Sequence, residues 1–392
     1  MDQYDGRRAV RLLTTRATAS QITRRRFLLA AMAAGIAPGL LACGDSETSA
    51  SGGGSSAGGM DDQLNMYTWG EYDDPAVLEG FTSEVGPRLQ IDTYGSNEEM
   101  IAKLVAANGT SGYDLIVPTG TFLPQMVAND LVEELDLSRI PNFKNVQSEF
   151  TDQAWDPGNQ HSICKDWGTT GYVYDTTVIE RDLTSWADFL DAAQNEAAGR
   201  TTVLDDPKEV LGIALFAEGV DVNTTDEAEL DRGEQMLIEQ LAPNVTAFES
   251  FVGGGAMGEG TNVLLQAWNG DARQGILAEG DSGRWQWVVP SEGSNIWMDN
   301  WVIVKGAEHQ EAAYAFIDYV LQPDVSLAEL AYHGYHTGVK DIEPAAKEAG
   351  LERLDMVFFD EAQLGRLVAM VPNEAQERVV AILGSLKAAA GA

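Results

Sequence analysis

The sequence is poor in cysteine, histidine and positive charge. Its 392 residues include two cysteines, four histidines and 25 lysines and arginines, against 61 aspartates and glutamates. Two cysteines are too few for a disulfide framework, and a net charge of −36 argues against nucleic acid as a partner. Beyond residue 43 no apolar run is long enough to span a bilayer. The chain is 44% hydrophobic, enough at this length to bury the cores of about two domains.

The excess of acidic residues is compatible with a cationic ligand but does not require one. Residues 1–42 hold seven arginines and two aspartates, so their removal takes the net charge from −36 to −41. Such a surface would steer polycations towards the protein. Adaptation to salt, or solubility alone, would give the same composition. The charge therefore leaves the nature of the ligand open.

The N-terminal segment has the pattern of an export signal. Residues 23–28 read Thr-Arg-Arg-Arg-Phe-Leu and precede an apolar run over 29–41. The paired arginines are a twin-arginine signature, although such pairs also occur in ordinary secretion signals. The apolar run is too short for a transmembrane helix. We therefore predict that residues 1–42 are a twin-arginine-type signal peptide.

The end of that run predicts a lipid anchor. Leu-Leu-Ala-Cys-Gly at 40–44 resembles a bacterial lipobox, in which Cys43 is lipidated and becomes the mature N-terminus. The alternative is an ordinary signal peptide with a chance cysteine. Residues 43–60 are mostly glycine, serine and alanine, a composition typical of a flexible linker. We expect an exported protein, tethered through Cys43 to the periplasmic or extracellular face of the cell membrane.

Strand-like and helix-like segments alternate through the rest of the chain. The predicted strands cover residues 64–69, 89–93, 113–117, 201–204, 262–267, 285–289 and 296–304. Segments with helical periodicity lie between them, so we predict an α/β protein with parallel sheets covered on both faces. In open sheets of this kind, ligands sit at the carboxyl ends of the strands.

Aromatic and acidic residues recur at those strand ends. They are Trp69, Glu71, Tyr72, Asp206, Glu209, Trp268, Asp271, Trp297 and Asp299, with the hydroxyl of Thr119 beside them. A carboxylate can bond an ammonium group while a ring attracts it by cation–π interaction, roughly 0.5–2 kcal/mol. The repeated combination therefore favours an organic cation as the ligand.

Two of these combinations also have ordinary structural interpretations. Trp297 and Asp299 lie two residues apart in a predicted strand and so face the same side, but they could be a core tryptophan beside a surface aspartate. Asp206 precedes Pro207 at a predicted helix start, where an acid is an ordinary cap. The recurrence of such pairs at equivalent strand ends favours two half-sites that face one cleft.

Six short runs along the chain are distinctive: Tyr-Thr-Trp-Gly-Glu-Tyr at 67–72, Tyr-Gly-Ser-Asn-Glu at 94–98, Tyr-Asp-Leu-Ile-Val-Pro at 113–118, Thr-Ser-Trp-Ala-Asp at 184–188, Trp-Asn-Gly at 268–270 and Trp-Met-Asp at 297–299. In this order they resemble the periplasmic spermidine/putrescine-binding proteins of polyamine ABC transporters. The resemblance covers most of residues 63–340. It implies a two-lobed periplasmic-binding-protein-like fold of type II, with the ligand in the inter-lobe cleft and hinge closure upon it.

That resemblance also implies the boundaries and the role of the protein. Lobe 1 would comprise residues 61–170 and 300–342, and lobe 2 residues 171–299 and 343–392. The protein would capture putrescine or spermidine, without a cofactor, and deliver it as a monomer to a membrane permease. It would not be an enzyme.

The family pattern carries over to particular positions of this sequence. The positions that match its binding residues are Trp69, Tyr72, Thr119, Asp206, Glu209, Trp268, Trp297, Asp299 and Tyr335. Asp271 is similar to a feature of putrescine-preferring members. Gly70 and Thr121 depart from the pattern, where members often have a hydroxyl residue and an aromatic respectively. The length of the ligand therefore stays open.

Three other functions are weaker alternatives. A receptor of the same fold for a sugar or an amino-acid derivative would use Trp stacking too, but would want amides and arginines as much as acids. An extracellular hydrolase would need paired acids such as Asp205 and Asp206. A metal site could use His333 and His336 if they shared a helix face. Cys164 is predicted to be a plain buried thiol.

Overall fold

The computed structural model describes residues 59–107, 111–253, 257, 260–280 and 282–391. The predicted signal peptide, Cys43 and most of the predicted linker lie outside the described residues. Within them, no helix combines the length and the apolar character that crossing a membrane requires.

Strands and helices alternate as the sequence pattern predicts. The strands are β1 (Gln63–Trp69), β2 (Arg88–Tyr94), β3 (Leu115–Ile116), β4 (Ile163–Asp175), β5 (Thr201–Leu204), β6 (Val245–Glu249), β7 (Leu264–Trp268), β8 (Trp285–Val288), β9 (Ser294–Ile303) and β10 (Leu367–Val368). The α-helices are α1 (Pro75–Glu84), α2 (Asn97–Ala107), α3 (Leu123–Ala128), α4 (Trp186–Gln194), α5 (Pro207–Glu218), α6 (Glu227–Met236), α7 (Asn269–Ala278), α8 (Gln310–Val320), α9 (Pro323–His333), α10 (Ile342–Glu348), α11 (Glu361–Leu364) and α12 (Gln376–Ala390).

Side-chain caps fix the starts of several helices. Asp74 accepts a hydrogen bond from the backbone N–H of Ala76, and Pro75 opens α1 with a φ suited to a helix. Ser185 caps α4 and Asp206 caps α5 in the same way. These caps set the directions in which the chain leaves each strand.

Two groups of parallel strands flank a long antiparallel ribbon. The strand order is β2-β1-β3-β9-β4-β7-β5-β6, with β10 beside β9 and β8 beside β4. In the first group β1 pairs with β2 and β3, and in the second β5 pairs with β6 and β7, all in parallel. The central strands β4 and β9 run antiparallel, so this β4–β9 ribbon joins two α/β halves.

Each half has its own apolar core. In the first, Phe81 of α1 packs edge-to-face on Phe316 of α8, with ring centroids 5.0 Å apart. In the second, Trp186 and Phe189 of α4 pack on Tyr172 of β4. Separate cores of this kind leave the space beside the β4–β9 ribbon to polar and aromatic side chains.

The helix α7 begins against the end of α9, and the contact leaves no room for a side chain at Gly270. A Cβ atom there would stand 2.5 Å from the carbonyl oxygen of His333 and would also meet the Tyr335 ring. The glycine therefore allows the two halves to approach beside the ribbon.

We expect Gly270→Ala to destabilise the protein by about 1–3 kcal/mol, because the added methyl group must displace backbone or ring. The matched control is Gly384→Ala in α12, where a Cβ meets nothing within 4 Å. That change should stabilise the helix by roughly 0.5–1 kcal/mol. Urea unfolding of both variants measures the difference, and equal free energies of unfolding would contradict the close approach.

Candidate functional site

The carboxyl group of Asp299 lies at the centre of a cluster of buried polar side chains beside the β4–β9 ribbon, here called the Asp299 group. Asp299 is 5% exposed, and its Oδ1 accepts a hydrogen bond of 2.7 Å from the Thr119 hydroxyl. The side chain of Asn97 holds that threonine: its Nδ2 donates to the hydroxyl and its Oδ1 accepts from the Thr119 N–H, both at 3.0 Å. The Tyr72 hydroxyl lies 2.9 Å from Asp299 Oδ2. Four elements thus converge on one carboxyl group.

Aromatic rings line the space next to it. Tyr335 packs edge-on against Trp297, with centroids 4.9 Å apart, and against Tyr72 at 5.9 Å. Its hydroxyl donates a 2.7 Å hydrogen bond to Asp271 of α7. Tyr335 therefore links Asp271 to the Trp297–Asp299 pair.

Glu209 is a second buried acid, at another end of the Asp299 group. It lies in the first turn of α5, is almost fully buried, and accepts a 2.7 Å hydrogen bond from the side chain of Asn295. The indole N–H of Trp268 points to the same carboxylate at 3.4 Å. Glu209 thus stands next to the ring of Trp268.

The two adjacent aspartates before α5 have different partners. Asp206 Oδ1 accepts hydrogen bonds of 2.9 and 3.0 Å from the backbone N–H groups of Lys208 and Glu209. Asp205 is exposed and pairs with Lys387 at 2.5 Å. Asp206 acts as a cap, and the two acids do not face a common point as a hydrolase pair would.

Trp69 is the last residue of β1 and Glu71 lies just beyond the strand, but their side chains lie in different places. The Trp69 indole donates to the carbonyl of Val117 at 3.0 Å, and its ring packs on Tyr94 at 4.6 Å, so it borders the Asp299 group. Glu71 has a left-handed backbone, φ 57, and is exposed. Its carboxylate lies 3.5 Å from the Tyr332 hydroxyl. The structure therefore does not bring Glu71 together with the other predicted site residues.

Burial raises the pKa of three of the clustered acids to about 7. For Asp299 the charge of Asp166 adds to the effect of burial, while the bonds from Thr119 and Tyr72 oppose it. For Glu209 burial comes first and the charge of Asp206 second. For Asp271 burial acts against the hydrogen bond from Tyr335. A cation beside these groups would stabilise their ionised forms.

A buried ion cluster behind Tyr72 was not predicted. Lys165 of β4 lies 3.2 Å from Asp166 and 3.4 Å from Asp73, with its ammonium 4.1 Å above the Tyr72 ring. Burial opposes its charge, but Asp166 and Asp73 raise the pKa of Lys165 overall. The signal in the sequence was a Lys-Asp pair flanked by apolar and aromatic residues, Cys164 before it and Trp167 after it.

The helix α9 supplies the other wall of this cluster. Glu329 accepts from the backbone N–H of Asp74 at 3.3 Å, and burial raises the pKa of Glu329 to about 8. His333 Nε2 lies 3.4 Å from Asp166 and 3.8 Å from Glu329. Burial lowers the pKa of His333 well below its usual range, so the ring is neutral.

The idea of a shared helix face for His333 and His336 is wrong. The helix α9 ends at His333, and Gly334 follows in a left-handed conformation with φ 81. Among the described residues, no group of three or more His, Cys, Asp or Glu side chains could hold a metal ion. Cys164 is a free, buried thiol, as predicted.

Two α/β halves joined by a long ribbon, with polar and aromatic side chains beside it, form the architecture of a two-lobed solute-binding protein. The chain belongs to the family of bacterial extracellular solute-binding proteins, whose family model matches residues 76–370. This confirms the predicted fold class and family.

Relatives and solved structures agree with that assignment. The chain is 34% identical over 303 residues to the spermidine/putrescine-binding periplasmic protein of Salmonella typhimurium, covering 77% of this chain and 82% of that protein. The spermidine/putrescine ABC transporter substrate-binding protein PotD of Streptococcus pneumoniae superposes with a TM-score of 0.70 at 30% identity, over 84% of this chain and 100% of that chain. The Tp0655 lipoprotein of Treponema pallidum gives 0.72 at 27% identity, over 83% and 99%.

We expect Lys165→Met to destabilise the protein by about 3–5 kcal/mol, because Asp166 and Asp73 would stay buried without their cation. The matched control is Lys305→Met, which removes a partly exposed lysine paired with Glu133. Guanidinium unfolding should show a large loss for the first variant and little change for the second. Similar small losses in both would mean that the Lys165 cluster is hydrated.

Proposed function

We propose that the protein captures a linear polyamine, putrescine or spermidine, in the cleft beside the ribbon and delivers it to an ABC transporter permease. One observation carries the proposal. Asp299, Asp271 and Glu209 are buried, yet among the described residues no lysine or arginine lies within ion-pair distance of any of them. The similar Salmonella typhimurium and Streptococcus pneumoniae proteins are named for spermidine and putrescine.

A polyamine fits this arrangement chemically. It carries an ammonium group at each end of an apolar chain, so its charges could meet separated carboxylates while its methylene groups contact rings. Trp297 stands beside Asp299, and Trp268 beside Glu209. Each buried carboxylate costs several kcal/mol unless it is paired. Ligand charge would remove that cost, and the closed cleft would become favourable.

The proposed site contains ten of the eleven predicted residues. These are Trp69, Tyr72, Thr119, Asp206, Glu209, Trp268, Asp271, Trp297, Asp299 and Tyr335. The innermost contacts are those around Asp299, Tyr335 and Glu209. Asp206 would act from the margin, since it caps α5, and the exposed Glu71 is left out of the site.

Hinge closure at the ribbon supplies a mechanism for capture. We propose that residues 61–170 and 300–342 form one lobe and residues 171–299 and 343–392 the other. The crossing strands β4 and β9 would bend as the lobes close. The closed form would then dock as a monomer on the permease, without a cofactor and without catalysis.

Export and tethering complete the proposal. We infer that residues 1–42 direct export, that Cys43 carries the lipid, and that residues 43–60 form the leash. Membership of an extracellular solute-binding family supports export, and similarity to a Treponema pallidum lipoprotein supports the anchor. The protein would then work at the outer face of the cell membrane.

Thermal unfolding with added solutes tests the ligand class. A ligand that binds only the folded state stabilises it by about 2.7 kcal/mol at 100 times its Kd. We expect putrescine or spermidine at micromolar levels to raise the melting temperature, and Mg²⁺ and a panel of sugars at matched ionic strength to leave it unchanged. Equal shifts with every cation would indicate screening of the acidic surface and would overturn the proposal.

We expect Asp299→Asn to weaken polyamine binding by about 2 kcal/mol or more, since it removes one partner of a buried charge pair. That corresponds to roughly a 30-fold or larger rise in Kd. The matched control is Asp182→Asn, which removes the same charge from an exposed position. Titration calorimetry compares the three proteins, and unchanged affinity in Asp299→Asn would remove that residue from the site.

A further inference from the structure

Asp166 and Asp299 face each other directly across the ribbon. They are cross-strand partners in the antiparallel pairing of β4 and β9, next to an irregularity in register between Cys164 and Asp166. Like charges directly opposite each other in a ladder are destabilising. Both side chains are buried, so water does not screen the pair. Something must neutralise one of the two carboxyl groups in the free protein.

The Tyr72 hydroxyl bridges the two acids. It lies 2.9 Å from Asp299 Oδ2 and within hydrogen-bond distance of Asp166 Oδ1. A phenol has one O–H, so it can donate to one carboxylate at a time. The other contact is a hydrogen bond only if that carboxyl group is itself protonated and donates to the tyrosine oxygen.

The surroundings of Asp166 favour its ionised form. Lys165 Nζ donates to Asp166 Oδ2 at 3.2 Å. His333 Nδ1 accepts from the backbone N–H of Tyr335 at 3.0 Å, so the proton of this neutral ring is on Nε2. That N–H lies 3.4 Å from Asp166 Oδ2, outside hydrogen-bond geometry but with its positive end close to the acid.

The surroundings of Asp299 supply less positive charge. The Thr119 hydroxyl accepts from Asn97 and therefore donates to Asp299 Oδ1, leaving Oδ2 free to carry a proton towards Tyr72. Burial and the charge of Asp166 raise the pKa of Asp299 to about 7. Burial raises the pKa of Asp166 as well, but Lys165 and the hydrogen bond from Tyr72 oppose that rise.

The remaining titratable groups around the pair do not change this balance. They are Asp73, Glu329, Lys165, His333, Cys164, Tyr94 and Tyr335. The Asp73 carboxylate lies 3.4 Å from Lys165 Nζ, so the charge of Lys165 is already paired with Asp73. Burial raises the pKa of the Cys164 thiol and of both tyrosines well above the usual range, so these groups are neutral. A second free carboxylate here would lack a cation.

We propose that Asp166, acting through Tyr72, keeps a proton on Asp299 in the free protein, and that a bound ammonium group replaces this proton. The step breaks the Asp299 O–H bond and releases the proton to solvent, while an ammonium N–H donates to the carboxylate and Tyr72 keeps donating to Asp166. Asp166 is thus a positioning residue that sets the charge of the site. This inference rests on the proposed function.

The coupling has a definite sign. As the pH falls below about 7, the pKa of Asp299, protons compete with the ammonium group for Asp299. Affinity for the polyamine therefore decreases with falling pH and levels off well above the pKa, where Asp299 is already ionised. A neutral solute cannot replace the proton on Asp299. Its affinity should therefore not depend on the ionisation of Asp299.

Titration calorimetry of putrescine and spermidine in buffers of different ionisation enthalpy tests the coupling. At pH 7 we expect the parent protein to release protons, seen as a buffer-dependent heat. Asp166→Asn should release fewer, by up to one per ligand, because Tyr72 can then donate to an already ionised Asp299. Asp182→Asn should match the parent, which controls for the loss of one negative charge, while Glu209 and Asp271 are intact in all three proteins. Equal proton release in Asp166→Asn and the parent would overturn the inference.

A measurement without ligand covers the case in which Asp166→Asn does not fold. The amide of Asp299→Asn can donate to the Tyr72 oxygen in place of the proton. A raised pKa makes the folded parent less stable as pH rises from about 4 through the pKa of Asp299 at about 7, above which the loss levels off. The melting temperature of Asp299→Asn, relative to that of the parent, should therefore rise between pH 5 and pH 8. Parallel pH profiles would overturn the inference even if polyamines bind. Failure of all polyamines to bind, with diverging pH profiles, would overturn the proposed function and the replacement of the proton by an ammonium group, and would leave only the proton on Asp299.

Discussion

The cost of burying carboxylates beside the β4–β9 ribbon is the constraint on which the rest of the structure depends. An ion removed from water is tolerated only with a partner of opposite charge or with its charge removed by a proton. Lys165 provides the partner for Asp73 and Asp166. For Asp299 the described residues supply hydroxyl groups and no cation. The described interior thus holds a cation on one side of Tyr72 and lacks positive charge on the other.

The topology explains why so many polar groups meet in one place. The strands β4 and β9 are shared by both halves of the sheet, so the ends of β1, β3 and β7 all approach the ribbon. Gly168 lies opposite Trp297, and a Cβ there would meet the indole ring at 2.5 Å. Helix starts at α2, α5 and α7 bring Asn97, Glu209 and Asp271 to the same region. The helix starts and the close approach of the backbone at Gly168 to Trp297 therefore bring side chains from distant segments of the chain together.

The sequence predicted those parts of the site that follow from local periodicity. Trp297 and Asp299 share a face because side chains alternate along a strand, and Asp206 caps α5 because an acid before Pro207 is suited to that position. The pairing of Asp166 with Asp299 was not predictable, since it depends on long-range register and an irregularity in β4. Glu71 turns away because its backbone is left-handed, a feature that a pattern of residue types does not reveal.

Lys165 is a fixed cation, whereas the positive charge beside Asp299 would be exchangeable, and the two would have different roles. Had Lys165 reached Asp299, the site would be neutral when empty and a polyamine would gain little on entering. Lys165 is instead held by Asp166 and Asp73, with its ammonium group over the Tyr72 ring, and among the described residues it makes no ion pair with Asp299. The charge left for Asp299 must then come from something that can leave, a proton or a ligand. In the proposed site, selectivity for cations would follow from this arrangement, because only a cation can take over the charge when the proton departs.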